Sequence, residues 1–75
     1  MIHAVYLQSI PKGLWYLVSV SPSAQIALRD KQVALQDAIK HGEKEAATGI
    51  RTFETSWQVP SSLLKLEEDE KLLFN

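Results

Sequence analysis

Seventy-five residues with nine acidic and eight basic side chains, a net charge of −1 and 45% hydrophobic content describe one ordinary globular domain and leave no room for two. The absence of cysteine excludes disulfides and thiolate-held zinc. A body this small buries only about 60% of the surface its unfolded chain exposes, so an identical or different partner chain is the expected reinforcement.

The first run, residues 2–10, is rich in Val, Tyr, Ile and Leu, and Pro11-Lys12-Gly13 separates it from a second β-rich run, residues 14–20. This predicts a hairpin. Strict alternation in the second run places Leu14, Tyr16, Val18 and Val20 on one face and Trp15, Leu17 and Ser19 on the other. Both faces are apolar, as in a central strand or one whose outer face meets a partner. Pro22 ends the run, and two readings follow. Either residues 25–29 form a third short strand and Asp30 caps a helix starting at Lys31, or Ser23 caps one long helix from Ala24. The first is preferred, because a third strand makes a more viable sheet. Gly42 either permits close approach to the sheet or marks the helix end; Glu43 to Ala47 favour continuation, with Gly49 as the C-cap. From Ile50 the period changes to two, predicting a strand with Phe53, Trp57 and Val59 inward until Pro60 stops it. Residues 61–75 form an acidic C-terminal element. A helix capped by Ser61 or Ser62 is preferred over a hairpin of residues 64–66 and 72–74.

The fold expected is therefore α+β: a small antiparallel sheet of three to four strands, in the order hairpin, short strand, helix, strand. One main helix packs on one face, residues 1–60 form the domain, and a C-terminal helix or hairpin follows.

Residues that carry chemistry are few. His3 and His41 show no ligand spacing, the serines stand at turns and caps, and three separate glycines build no phosphate loop. Neither a catalytic site, a cofactor nor a metal is expected, and the chain is read as non-enzymatic. The start of the chain lacks the basic and apolar regions of a signal peptide, and its longest apolar stretch, residues 14–18, falls far short of the roughly 20 residues that cross a bilayer. No membrane partner and a cytoplasmic location are the expectation.

Trp15, Leu17 and Trp57 either fill the core or mark a protein interface. Glu67 and Glu68 open an acidic run that suits a solvated surface or a basic partner. The function expected is a protein-interaction or regulatory module, acting on another protein or as a homodimer. The alternative is a nucleic-acid-binding regulator that uses Arg29, Lys31, Lys40, Lys44 and Arg51, with aromatic stacking from Trp15 or Tyr16.

The element order, together with the stretch DKQVALQDA at 30–38, resembles the architecture and helix start of HicB-type antitoxins. The chain lacks the Gly- and Pro-rich segment that joins hairpin to helix in that group. The resemblance implies a fold and leaves function open.

Overall fold

In the computed structural model, which describes residues 1–66, the two β-rich runs become β1 (Ile2–Gln8) and β2 (Trp15–Ser21). The link between them is a tight turn in which Gly13 N–H donates to the Ile10 carbonyl at 3.0 Å. Pro11 occupies its second position and Lys12, at φ 63°, its third. The Gln8 amide donates to the Gly13 carbonyl at 2.8 Å and closes the loop from the strand side.

Residues 25–29 are helical, so the expected third strand there is overturned. Helix α1 (Ala24–Lys40) begins at Ser23, whose backbone is extended and whose hydroxyl accepts from Ile26 N–H at 3.3 Å. Ser21 Oγ accepts from Ser23 N–H at 3.0 Å, so the cap is itself held in place. Asp30 lies inside the helix, where its carboxylate accepts from the Ser19 hydroxyl at 3.1 Å. The residues that carried the antitoxin resemblance are thus helix interior rather than helix start.

The helix also stops earlier than expected, at Gly42 and not Gly49. Gly42 adopts φ +93°, its N–H bonds the Ile39 carbonyl, and Glu43 N–H reaches back to the Ala38 carbonyl. This is a Schellman ending, for which a residue without Cβ is preferred. Gly49 instead belongs to β3 (Ala47–Phe53), where an added Cβ would collide with the Leu66 side chain.

The sheet order is β3-β1-β2-β4, all neighbours antiparallel, with β4 (Ser62–Leu63) a short addition beside Trp15 and Tyr16. The expected helix starting at Ser61 or Ser62 is therefore absent there. The remainder of the tail, 67–75, lies outside the described residues. The α+β architecture, with one main helix on an antiparallel sheet, agrees with the sequence reading.

Central strand β1 is covered on both faces. Val5 points to the helix and packs with Ala27 and Ile50, bordered by Ala24 and Leu28. Ala4 and Tyr6 point the other way and are fully buried too. Tyr6 lies against the returning C-terminal segment, and its hydroxyl donates to the Pro60 carbonyl at 2.8 Å. Burial raises the Tyr6 pKa above 10.0, and Arg51 partly offsets this.

Two stability measurements check this account by urea unfolding. Ser23→Ala should cost about 1 kcal/mol through loss of the helix cap. Tyr6→Phe should cost about 1–2 kcal/mol, because the Pro60 carbonyl loses its donor. Wild-type stability should also fall as pH rises through 10, since the unfolded tyrosine ionises before the folded one; Tyr6→Phe should lessen that fall.

Candidate interaction surface

A β-bulge decides which side chains of β2 meet the helix. Val5 pairs with Ser19 and Tyr6 with Leu17, so Val18 is the extra residue between them. Val18 and Ser19 consequently both line the helix side, and alternation resumes on the opposite phase. Val20 pairs with Ala4 and so lies on the face away from the helix, while Tyr16 pairs with Leu7 on the helix side. The expected single face of Leu14, Tyr16, Val18 and Val20 is therefore broken.

Between this stretch of β2 and α1 runs an open groove, in two connected hollows of about 370 and 320 Å³ that share Val18, Ala34 and Asp37. Leu7, Val18, Ala34 and Ala38 supply apolar lining. Val33 stands on the helix bank at 57% exposure, with Ile26 two turns earlier on the same stripe. Tyr16 and Val18 are 54% and 45% exposed. Of these, Val18 and Val33 line the groove itself, and uncovered apolar side chains gathered at a groove mark an interaction surface.

The rim is acidic. Asp30 and Asp37 come from α1, and Glu43 from the turn after it. His41 closes one end. Its Nδ1 donates to the Asp37 carbonyl at 2.7 Å and lies 3.6 Å from the Asp37 carboxylate. That backbone bond, then the carboxylate, then Glu43, raise the His41 pKa above 6.5, against a smaller opposing effect of desolvation.

The residues singled out from sequence are dispersed. Trp15 and Leu17 are half-buried on the face opposite the helix. Leu17 N–H donates to the Ser61 carbonyl at 3.0 Å, and the Trp15 ring approaches Gly49 beside Leu66. Their apolar face is thus met by the chain's own C-terminal segment. Trp57, expected inward on a strand, stands 84% exposed on a single 3₁₀ turn, Ser56–Gln58. The strand ended at Phe53 because Gln58 Oε1 accepts from both Glu54 and Thr55 N–H, at 3.1 Å each, and folds the backbone back. Glu67 and Glu68 lie outside the described residues.

The basic set does not converge. Lys31 is half-buried, one turn beyond the buried Ala27, and Arg51 lies on the opposite face of the sheet with its guanidinium 5.5 Å from the Phe53 ring centre. Arg29 and Lys40 share the solvent side of α1 but stand three turns apart, about 16 Å. Arg29 lies 3.7 Å from Asp30. Lys44 is on the loop into β3. Among the described residues no cluster of three His, Cys, Asp or Glu could hold a metal ion, and no helix is long and apolar enough to cross a membrane.

Sequence reasoning missed the groove. Its only signal was the surplus of apolar residues at Ile26 and Val33, off the core stripe of the helix. Compared with family models, curated proteins and solved structures, the chain finds no match.

An NMR titration should place the His41 midpoint above 6.5. Asp37→Asn should lower it only in part, because the bond to the Asp37 carbonyl remains. The raised value implies that the stabilisation from His41 is complete below the unfolded pKa near 6.5 and fades as pH rises through the folded one. A midpoint at or below 6.5 would contradict this geometry.

Proposed function

We propose that the protein is a non-catalytic interaction module that holds a basic segment of another protein, anchored by apolar side chains, in the groove between α1 and β2. The observation that carries this reading is the coincidence, in one groove, of uncovered Val18 and Val33 with the acidic rim of Asp30, Asp37 and Glu43. Desolvation of the apolar line supplies affinity, and the carboxylates select a positively charged partner and speed its approach. A groove open along its length suits an extended or helical segment better than a small molecule, which binds in enclosed hollows. No observation gathers the basic residues into a nucleic-acid surface, so that alternative has no geometric support among the described residues.

The test is a comparison of variants in partner capture from a native lysate treated with nuclease. The wild-type chain should retain a discrete basic protein. Val33→Glu, at an exposed position that leaves the fold intact, should weaken that binding about tenfold or more. Asp30→Asn with Asp37→Asn should slow association and flatten its salt dependence. Equal binding by the Val33→Glu and Val18→Glu variants would remove the groove from the account, and nuclease-sensitive capture of nucleic acid would replace it.

A further inference from the structure

The opposite side of the sheet offers a second surface, independent of the groove. Among the described residues β3 has β1 as its only strand neighbour, and no described strand pairs with its outer edge. Natural edge strands are guarded by proline, bulges, inward charges or brevity. Here residues 47–51 contain no proline, their pairing with β1 runs without a register shift, and Arg51 is the one charge. An edge left in this state is a template for another strand.

From this edge we infer that the chain forms a two-fold dimer by antiparallel pairing of β3 with β3 of a second copy, centred on Gly49. The charges around the edge select a second copy as the occupant. Along the chain they read Lys44, Glu45, Arg51, Glu54, that is plus, minus, plus, minus. An antiparallel copy presents this order reversed, so each end places a basic residue against an acidic one. Centring on Gly49 sets Ala47 opposite Arg51 and Thr48 opposite Ile50 of the second copy. Carried outward, that register brings the Lys44–Glu45 turn beside Glu54 and Arg51 of the second copy, within reach of long side chains.

The helix adds apolar area to the same contact. Asp30, Val33, Ala34 and Asp37 line the β2 side of α1, so Leu28, Leu35 and Ile39 turn toward β3. Ile39, 49% exposed, stands at the outer margin of this flank, where it also borders a hollow with Val33, Gln36, Asp37 and Lys40. A two-fold axis perpendicular to the sheet keeps both helices on one face and brings these flanks toward each other, joining two four-stranded sheets into one of eight.

The absence of native cysteine permits a direct test. Light scattering of the full chain over a wide concentration range should show a dimer of twice 8.4 kDa, and amide exchange at 47–51 should slow as it forms. Under oxidising conditions the double variant Ala47→Cys/Arg51→Cys should cross-link into a covalent dimer, while neither single variant should. Within one chain these positions stand about 13 Å apart, beyond the reach of a disulfide. Arg51→Glu should weaken the dimer about fivefold, and adding Glu45→Lys should restore it. Val33→Glu should leave it unchanged, which separates this result from the groove. A chain monomeric at every concentration, a dimer whose 47–51 amides exchange no more slowly, or cross-linking by Ala47→Cys alone would each overturn the inference.

Discussion

Everything in this fold is arranged around a strand that must be covered twice. Ala4, Val5 and Tyr6 are consecutive and fully buried, so β1 has no solvent face at its centre. Adjacent strand residues point to opposite sides, and one covering element cannot satisfy three in a row. Helix α1 covers Val5, and on the other face the C-terminal segment meets Tyr6. Each cover then dictates local detail. Ala27 is small enough to let the helix approach Val5 and Ile50, and Gly49 leaves the space that Leu66 occupies. The Tyr6 hydroxyl, caught between layers, finds its acceptor in the Pro60 carbonyl, so the turn after β3 is tied to the strand it passes beneath.

Two covers over one strand still leave a small core. Six apolar residues are buried among those described, while Tyr16, Val18, Val33, Ile39, Trp57 and Leu64 are among the large ones left exposed. A chain of this length cannot close around all of them. The excess is distributed in an ordered way. One part lines the α1–β2 groove under an acidic rim, and another lies on the β3 side of the same helix. A hollow lined by Val33, Gln36, Asp37, Ile39 and Lys40 joins the two flanks across the outer face of the helix.

The β2 bulge links this economy to function. Without it, strict alternation from Tyr16 would still aim Val18 at α1 but would turn Ser19 away, and Asp30 would lose its hydroxyl donor. With it, Val18 and Ser19 both turn toward α1, and Ser19 donates to Asp30, which fixes one carboxylate of the rim. A single extra residue thus places an apolar contact and an oriented acid side by side, which is how bulges commonly re-aim side chains at functional surfaces.

The hairpin was legible in the sequence because its signals are local: β-rich runs on either side of Pro11-Lys12-Gly13 need nothing else to pair. The amphipathic helix and the α+β class were legible for the same reason, since periodicity and caps belong to short windows. Three matters were not local. Whether Ser23 or Asp30 capped the helix depended on Ala27 fitting against Val5 and Ile50, residues far away in the chain. Which glycine ended it depended on the pairing of Ala47–Phe53 with β1, which takes Gly49 into the sheet opposite Tyr6. The faces of Tyr16, Val18 and Val20 depended on the register between β1 and β2, where one unpaired residue reverses every side chain beyond it. Composition and local chemistry determined the kinds of element and their order. Only the packing of distant segments on a doubly buried strand decided where each began and ended, and which apolar residues were left for others to cover.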